Sequence, residues 1–247
     1  MPCKFLTALP VFNESKSVNA VLDEVSLYSD HVLVVNDGST DGSSELLARR
    51  DDIILLTHEV NRGYGAALVT AFNYAIEHQY DVLVTIDCDG QHQPQRIKQF
   101  AAAIKSSGAD IVSGSRYLKS FDGDTLPPIE RRQINHAVTQ TLNDRLGLKL
   151  TDAFCGFKAY RVDALRRLDI KETGYAMPLE LWVQAACANL TVVEMAVPLI
   201  YLDETRSFGG QLDQANIRLK YYHDVLNRAF AALPSNCEKL RGQRVGQ

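Results

Sequence analysis

The chain has 247 residues, of which 46% are hydrophobic and 23% charged, and its formal net charge is −4. This composition is typical of a soluble globular protein, and the chain is long enough for one large α/β domain or two small ones. We also expect no signal peptide and no transmembrane segment, because no apolar run approaches the roughly 20 residues that cross a bilayer.

The first 116 residues alternate between strand and helix patterns. Strands are predicted over 4–9, 31–36, 53–57, 81–86 and 110–113. The helices between them begin after a cap at Ser15, at about 41, after 61–65 and after Gln93-Pro94. Strands separated by single helices are typical of a mostly parallel sheet.

The pattern changes after Arg116. Residues 118–130 are rich in Asp, Gly and Pro, which predicts a long loop that is either functional or disordered. Further helices are predicted over 130–146, 178–189 and 211–233, and further strands over 155–160 and 191–202. We therefore predict an α/β fold with a mostly parallel central sheet flanked by helices.

The last predicted helix carries an apolar stripe, formed by Leu212, Leu219, Tyr222, Leu226, Ala229, Phe230 and Leu233. The stripe either packs on the body of the protein or meets a membrane or a dimer partner. Residues 206–247 hold seven Lys and Arg against three Asp and Glu, a net charge of +4 that leaves −8 for the rest. Such a basic segment favours a phosphate-bearing partner or an anionic membrane, although a solvated helix face explains it nearly as well.

The five cysteines, Cys3, Cys88, Cys155, Cys187 and Cys237, are scattered along the chain. They follow no spacing that is typical of zinc sites or of a disulfide framework. We therefore expect reduced thiols and a cytoplasmic location.

The segment from Val82 to His92 ends a β-branched run in two carboxylates, Asp87 and Asp89. Alternate residues of extended backbone point to the same side, so Asp87, Asp89 and Gln91 would present three oxygen ligands together. Such hard ligands suit Mg²⁺ or Mn²⁺ shared with a phosphate. The alternative is an ordinary turn or helix N-terminus, where Asp and Gly are common.

Four turns follow the early strands and would meet at one edge of a parallel sheet. Three of them supply the acids Glu14, Asp37, Asp87 and Asp89. An acidic cleft repels phosphate unless a cation bridges the two. The chain has no P-loop, and Gly63-Tyr-Gly65 is too short for a dinucleotide fingerprint. Metal and arginine are therefore expected to hold the phosphates.

Six motifs together resemble family 2 glycosyltransferases with the GT-A fold. They are Pro10-Val-Phe-Asn-Glu14, Val34-Val-Asn-Asp-Gly-Ser-Thr-Asp41, Asn61-Arg-Gly-Tyr-Gly-Ala-Ala67, Asp87-x-Asp-x-Gln-His92, Gly114-Ser-Arg116 and Asp152-Ala-Phe-Cys-Gly-Phe-Lys158. The resemblance covers roughly residues 4–210 and is greatest to the dolichyl- and polyprenyl-phosphate mannosyl- and glucosyltransferase branch. It implies one GT-A domain over 1–233, with a nucleotide-binding half (1–116), an acceptor half (117–210), an amphipathic helix (211–233) and a polar tail (234–247).

The resemblance also implies roles for individual residues. Substrate contacts are implied for Pro10, Phe12, Glu14, Asp37, Arg62, Gly65, Asp87, Arg116, Arg131 and Arg132. Of these, Pro10, Phe12, Glu14 and Asp37 would contact the base and ribose, and Asp87, Asp89 and Gln91 would hold Mg²⁺ or Mn²⁺. The implied catalytic set is Asp89, Asp152, Glu180 and Arg206. Arg116, Arg206 and one of Arg131 and Arg132 would hold phosphate. Asp152 and Glu180 would face the sugar or act as a base, or would instead cap a helix or pair with an arginine.

The family is inverting, so the acceptor is expected to attack the anomeric carbon opposite the nucleotide. A hydroxyl acceptor would need a general base, whereas a monophosphate, with a second pKa of about 6, would not. We expect GDP-mannose or UDP-glucose as the donor and a lipid phosphate at the cytoplasmic membrane face as the acceptor. A membrane subunit or a homodimer is a further expected partner, and nucleic acid is not.

The sequence differs from the pattern of this branch at two places, and these differences leave the identity of the acceptor open. Arg206-Ser-Phe-Gly-Gly-Gln-Leu212 replaces the usual Gly-Glu-Ser-Lys-Leu run that follows the arginine, and Gly90 replaces a larger residue. The alternatives are a saccharide hydroxyl acceptor or a catalytically silent nucleotide-sugar-binding subunit.

Overall fold

The computed structural model describes residues 3–125, 127–202, 210–237 and 240. The strands in this part of the chain are β1 (Phe5–Val11), β2 (Val32–Asn36), β3 (Ile54–Thr57), β4 (Val82–Thr85), β5 (Ile111–Ser115), β6 (Lys158–Arg161) and β7 (Val192–Ala196). The α-helices are α1 (Val18–Ser26), α2 (Ser43–Leu47), α3 (Tyr64–Glu77), α4 (Ile97–Ser107), α5 (Ile129–Leu146), α6 (Val162–Leu165), α7 (Met177–Cys187) and α8 (Ala215–Ala231). Short 3₁₀ turns cover Pro94–Arg96, Gly210–Asp213 and Ser235–Cys237.

The strands form one sheet in the order β3-β2-β1-β4-β6-β5-β7. Strand β1 pairs in parallel with β2 and β4, and β5 pairs in parallel with β7. Strand β6 is the exception, since it lies antiparallel between β4 and β5. The predicted mostly parallel α/β fold is therefore confirmed.

Helices cover both faces of this sheet, which explains the continuous apolar runs of its central strands. One core lies between the sheet and α1, α2 and α4. The other lies beneath α3, α5, α6, α7 and α8. At its centre Trp182 is fully buried and donates its indole N–H to the Ala153 carbonyl at 2.9 Å.

Two local predictions were wrong, and one short helix was missed. The strand predicted over 191–202 ends at Ala196, and Pro198 beyond it has no N–H to donate to a ladder. Ser15 does not cap α1: the N-cap residue is Ser17, while the Ser15 N–H donates to the Asp41 carboxylate at 2.9 Å. Helix α6 was not predicted, because four residues are too few to show a helical period.

The apolar stripe of the last helix packs on the body of the protein. Tyr222, Leu226, Ala229, Phe230 and Leu233 are all buried in the core beneath α7 and α5. Leu212 and Leu219 are partly buried. Packing on the body was the first of the predicted uses of this stripe.

The loop that follows β5 is bonded to the chain that follows β7. The Thr125 N–H donates to the Leu199 carbonyl at 2.8 Å, and the Leu199 N–H donates to the Asp124 carboxylate at 2.8 Å. These contacts argue against the disordered alternative for the described residues of 118–130, and a function for this loop stays a prediction. No helix in the described parts of the chain is both long and apolar enough to cross a membrane.

The expectation of five reduced thiols was wrong for one pair. Cys187 at the end of α7 and Cys237 beyond α8 form a disulfide, with their Cα atoms 5.6 Å apart. The two residues are 50 positions apart, so only the packing of α8 on α7 brings them together. Cys3, Cys88 and Cys155 form no disulfide.

We expect alkylation of the denatured protein without reductant to label Cys3, Cys88 and Cys155 but neither Cys187 nor Cys237. Prior treatment with dithiothreitol should make all five cysteines reactive, which provides the control. Mass spectrometry of the peptides measures the result, and full labelling of Cys187 without reductant would contradict the disulfide. Closing a loop of this length contributes about 4 kcal/mol on the chain-entropy model, so Cys237→Ala should lower the Tm only under oxidising conditions.

Candidate active site

A cavity of about 690 Å³ opens at the carboxyl edge of the parallel strands. Its wall is built from the turns after β1, β2, β4 and β5, from α5 and α8, and from the loops that precede α3 and α7 and follow β7. The predicted site residues that line it are Pro10, Phe12, Glu14, Asp37, Asp87, Asp89, Gln91, Arg116 and Arg131. Arg62, Gly65, Arg132, Asp152 and Glu180 lie outside the wall. Arg206 falls outside the described residues.

The turn after β1 places Pro10, Phe12 and Glu14 at one end of this cavity. Phe12 is 40% exposed, which is unusual for a large apolar side chain and leaves its ring accessible from the cavity. The Glu14 backbone N–H donates to the Ser43 hydroxyl at 2.9 Å, and its carboxylate accepts the Ser17 hydroxyl at 3.1 Å. The turn is therefore held in place from two helices.

Asp37, which is 2% exposed, ties the next loop to the end of β2. Its carboxylate accepts the backbone N–H groups of Arg62 and Gly63 at 2.9 and 2.8 Å. His58 Nδ1 lies 2.6 Å from the same carboxylate, and His58 Nε2 lies 2.9 Å from the Thr70 hydroxyl. Asp37 thus holds the loop before α3 in place. Arg62 contributes its backbone N–H to this contact, and Arg62 itself is exposed.

Gly65 lies where α3 meets the loop before α7. A Cβ at this position would collide with the Glu172 carbonyl and would lie 2.7 Å from the Met177 Cβ. The next residue, Ala66, donates its N–H to the Thr173 carbonyl at 3.1 Å. Glycine at position 65 therefore permits close packing of these two segments.

Asp87, Asp89 and Gln91 all line the cavity, but they lie in a turn rather than in a strand. Strand β4 ends at Thr85, and the Asp89 carboxylate accepts the Gln91 N–H at 2.9 Å. Gly90 has a φ of +75°, which disfavours any larger residue. The alternation expected from extended backbone was therefore wrong, and the turn itself brings the three oxygen donors to the same cavity.

Sequence reasoning missed the groups that hold Asp87. The Tyr64 hydroxyl donates to Asp87 Oδ1 at 2.9 Å, and His92 Nε2 lies 3.4 Å from Oδ2. Gly156 lies so close to this carboxylate that a Cβ would overlap it. Burial and the neighbouring charge of Asp87 raise the pKa of Tyr64 well above its ordinary value, so Tyr64 remains a donor. Tyr64, His92 and Gly156 all belong to the motifs quoted above, and this membership was the only indication in the sequence that they could lie near Asp87.

Asp152 has no exposed surface and is paired with Arg116. Arg116 donates Nε at 2.6 Å and Nη2 at 2.9 Å, and Asn135 donates its amide at 2.9 Å. Burial alone would raise the pKa of Asp152, but the Arg116 guanidinium and these hydrogen bonds hold it well below its usual range. Of the predicted alternatives for Asp152, pairing with an arginine is the one observed.

Glu180, which is 7% exposed, holds the loop before α7. Its Oε2 accepts the backbone N–H groups of Lys171 and Glu172 at 2.9 and 2.6 Å. The same loop carries Tyr175, which lines the cavity and stacks on Tyr64 with ring centroids 5.9 Å apart. Glu180 thus supports one wall of the cavity from behind.

The basic end of the cavity holds one residue of the predicted pair Arg131 and Arg132, together with an arginine that was not predicted. Arg131 lines the cavity, with its guanidinium carbon 5.5 Å from the centre of the Tyr201 ring, whereas Arg132 is exposed and outside the wall. Sequence reasoning missed Arg218, which lines the cavity from α8 and is 3% exposed. The signal for it was a charged residue four positions before Tyr222 on an otherwise apolar face.

We expect Asp152→Asn to lower the free energy of unfolding at pH 7 by about 3 kcal/mol, because it leaves the Arg116 charge without its partner. Because the pKa of Asp152 is lower in the folded state than its unfolded value of about 3.9, the stabilisation is present above about pH 4 and is lost as the pH falls further. Urea denaturation of both proteins from pH 7 to pH 3 measures this difference.

Asp169→Asn is the matched control, since Asp169 pairs with Lys171 at 2.6 Å while both side chains are largely exposed. This substitution should lower the free energy of unfolding by no more than about 0.5 kcal/mol. An equal loss of unfolding free energy in the two variants would contradict a stabilising role for the buried pair. A loss for Asp152→Asn that increases as the pH falls would contradict it as well.

Comparison with known proteins shows the family. The model of glycosyl transferase family 2 matches residues 7–169. Undecaprenyl-phosphate mannosyltransferase of Micrococcus luteus is 31% identical over 228 residues, which cover 87% of this chain and 92% of that protein. Polyprenol monophosphomannose synthase of Mycolicibacterium smegmatis is 30% identical over 226 residues, covering 86% and 82%.

A solved structure shares the fold at lower identity. Glucosyl-3-phosphoglycerate synthase from Mycobacterium tuberculosis, in complex with Mn²⁺, uridine diphosphate and phosphoglyceric acid, aligns with a TM-score of 0.69 and 17% identity. The alignment covers 95% of this chain and 80% of that one. With a family match over more than half of its length and relatives at 30% identity or above, the chain belongs to glycosyl transferase family 2 and is a glycosyltransferase with the GT-A fold, similar to the polyprenyl-phosphate mannosyltransferases.

Proposed function

We propose that the enzyme transfers a hexose from a nucleoside diphosphate sugar to a polyprenyl phosphate, with inversion at the anomeric carbon. The observation that carries this proposal is the division of charge within one cavity. The acids Glu14, Asp37, Asp87 and Asp89 follow the neighbouring strands β1, β2 and β4. The arginines Arg116, Arg131 and Arg218 come from β5, α5 and α8 on the other side. The acidic side suits a donor whose diphosphate is bridged to the carboxylates by a cation. The arginine side suits an anionic acceptor.

On the donor side, we assign the base and ribose to Pro10, Phe12, Glu14 and Asp37. The exposed Phe12 ring offers a stacking surface, and carboxylates accept hydrogen bonds from ribose hydroxyls. Both GDP-mannose and UDP-glucose satisfy these contacts. The names of the two relatives favour mannose as the transferred sugar.

The oxygen donors of Asp87, Asp89 and Gln91 fit a divalent metal. They are two carboxylates and an amide on one cavity wall, which is a hard ligand set suited to Mg²⁺ or Mn²⁺. Among the described residues no group of three His, Cys, Asp or Glu side chains is arranged to hold a metal unaided. A metal at this place would therefore share the donor diphosphate, and when bound it would neutralise the charge of the leaving group. Tyr64 and His92 keep Asp87 in position for this role.

The acceptor is inferred from the state of the two carboxylates predicted as bases. Asp152 is paired with Arg116, and Glu180 accepts two backbone N–H groups outside the cavity wall. Neither is placed to take a proton from a hydroxyl acceptor. A phosphate monoester, largely dianionic at pH 7, needs cations to position it and no base. We therefore favour a polyprenyl phosphate over a saccharide hydroxyl.

The predicted division of the chain agrees with this assignment. Residues 1–116 supply the four acids together with Arg116, and residues 117–210 supply Arg131 and the loop that carries Tyr175. The helix within 211–233 closes the basic side through Arg218. We retain this division, together with the polar tail over 234–247, as part of the proposal.

We further propose that the basic side meets the cytoplasmic face of a membrane. Leu118, Ile129 and Leu202 are 47%, 73% and 65% exposed, and each lies within two residues of a cavity-lining position. Lys119 and Arg132 are exposed beside them and would attract anionic lipids. A peripheral contact here would let a lipid phosphate reach the arginines without a membrane-spanning helix.

The double variant Leu118→Ser, Ile129→Ser should bind anionic lipid vesicles more weakly than the native protein, by about tenfold, because it loses two apolar anchors. Vesicle co-sedimentation provides the measurement. Leu27→Ser removes a side chain that is 70% exposed beyond the end of α1, and it should leave binding unchanged. Equal binding by all three proteins would refute the membrane contact.

The proposed reaction predicts transfer from GDP-mannose or UDP-glucose to a short polyprenyl phosphate in the presence of Mn²⁺ or Mg²⁺. Asp89→Ala should lower kcat by at least about a hundredfold and leave the Tm unchanged, since its carboxylate faces the cavity. Asp51→Ala, at an exposed turn outside the cavity, is the control. Metal-dependent nucleotide binding without transfer would instead support a silent sugar-nucleotide-binding subunit, and normal turnover by Asp89→Ala would refute the metal role.

A further inference from the structure

His58 is a buried histidine that contacts the cavity wall from behind. It follows β3, it is 8% exposed, and it lies outside the set of residues that line the cavity. Its backbone N–H donates to the Asn36 carbonyl at 2.9 Å, and its ring nitrogen Nδ1 lies 2.6 Å from Asp37 Oδ1. The backbone and the ring of His58 are therefore both attached to the chain at the end of β2, where Asp37 lines the cavity.

The hydrogen bonds of the ring determine where its proton lies. The Asp37 carboxylate accepts the backbone N–H groups of Arg62 and Gly63, and an ionised carboxylate offers only acceptors. Nδ1 must therefore carry a hydrogen and donate it to Asp37. On the other side of the ring, Nε2 lies 2.9 Å from the hydroxyl of Thr70 in α3, which can donate or accept. The ring is thus held between β2 and α3.

Asp37 has room for one more hydrogen bond. A carboxylate offers about four acceptor positions on its two oxygens. Oδ1 receives His58 Nδ1 and the Arg62 N–H, whereas Oδ2 receives only the Gly63 N–H among the residues that the structure describes. Asp37 lines the cavity although it is 2% exposed, so the remaining position on Oδ2 is available to a bound molecule. This position suits a single N–H or O–H donor.

Of the three donors to Asp37, only His58 is anchored outside the loop before α3. Arg62 and Gly63 are neighbours in that loop, whose position depends in part on Asp37 itself. The His58 backbone is instead bonded to the last residue of β2, and its ring contacts Thr70 within α3. Regular elements hold a side chain more precisely than loops do. The contact with His58 therefore restricts the rotation of the Asp37 carboxylate more than the loop contacts do.

We infer that His58 is a positioning residue for the donor nucleotide. By filling Oδ1 it directs Oδ2 towards the cavity, where one N–H or O–H of the base or ribose donates to it. This arrangement is in place before the nucleotide binds, which lowers the entropy lost on binding. The inference rests on the proposed nucleoside diphosphate sugar donor, and it adds to that site a residue that the bound molecule does not touch.

The test compares His58→Asn, His58→Leu and His78→Leu in the full chain. Asparagine keeps an N–H donor at the place of Nδ1, because both nitrogens are bonded to Cγ, whereas leucine fills similar space without a donor. His78 is exposed at the end of α3 and lies outside the cavity, so His78→Leu is the matched control. The Kd for GDP and for UDP with Mn²⁺, the KM for the sugar nucleotide, kcat and the Tm are measured for each protein.

His58→Leu should raise the nucleotide Kd and the donor KM by about tenfold, because Asp37 loses a charge-assisted hydrogen bond. It should change kcat less than about threefold, since a contact to the base or ribose is made equally in the ground state and the transition state. His58→Asn should return the Kd to within about threefold of the native value. His78→Leu should resemble the native protein in all four quantities.

A second measurement uses the native protein and keeps the inference testable if the leucine variant does not fold. Long-range proton–nitrogen correlation spectra, recorded with heavy nitrogen in histidine, report the protonation of each ring nitrogen through carbon-bound protons. The spectrum of His58→Asn identifies the native signal by its loss. Nδ1 of His58 should be protonated, and its signal should shift when GDP or UDP binds, since the nucleotide donates to the same carboxylate. An Nδ1 without hydrogen, or a signal that the nucleotide leaves unchanged, would overturn the inference.

The failure of this inference is distinguishable from that of the proposed function. If the native protein binds neither GDP nor UDP with Mn²⁺, both are overturned. If it binds nucleotide but transfers no sugar to a polyprenyl phosphate, the proposed acceptor is wrong, and the Kd values still test the role of His58. Nucleotide binding that is unchanged in His58→Leu, or weakened equally in His58→Leu and His58→Asn, would overturn the inference alone.

Discussion

The buried pair of Asp152 and Arg116 is the interaction on which the arginine-lined side of the cavity depends. A carboxylate without exposed surface stays charged there because Arg116 and Asn135 both donate to it. The pair joins the end of β5, the segment before β6 and helix α5. On the other side, Glu194 of β7 accepts the backbone N–H groups of Thr151 and Asp152. Four elements that are distant in sequence therefore share one electrostatic centre beside the cavity.

Carboxylates also hold the chain in place on the acidic side of the cavity. Asp37 receives two backbone N–H groups of the loop before α3, and Asp87 receives the Tyr64 hydroxyl at the start of that helix. Each acid belongs to a turn that leaves the same edge of the sheet, so the loop is held from β2 and β4, the two strands that flank β1. The oxygen atoms are in place before any ligand arrives, and such preorganisation lowers the cost of stabilising charge during a reaction.

Helix α8 connects the two sides through the loop before α7. Glu172 of this loop accepts the Tyr221 hydroxyl at 2.5 Å and the Arg228 guanidinium at 3.0 Å, both from α8. The same loop places Tyr175 against Tyr64, the residue that donates to Asp87. Helix α8 is thus bonded to the loop that packs against Tyr64. The disulfide at the far end of α8 holds that helix to α7.

The sequence by itself determined the alternation of strands and helices, the acidic turns and the family. These follow from local periodicity and from short motifs, whose residues are neighbours along the chain. It left open whether Asp152 and Glu180 were bases or structural groups, and it missed Arg218 and the bond between Cys187 and Cys237. Only the tertiary structure shows that Asp152 pairs with Arg116 and that Glu180 accepts backbone N–H groups. It also decided the disulfide, the place of Arg218 on the cavity wall and the antiparallel insertion of β6. Each depends on contacts between residues far apart in the chain, because burial and charge pairing belong to the packed fold and leave no periodic signal.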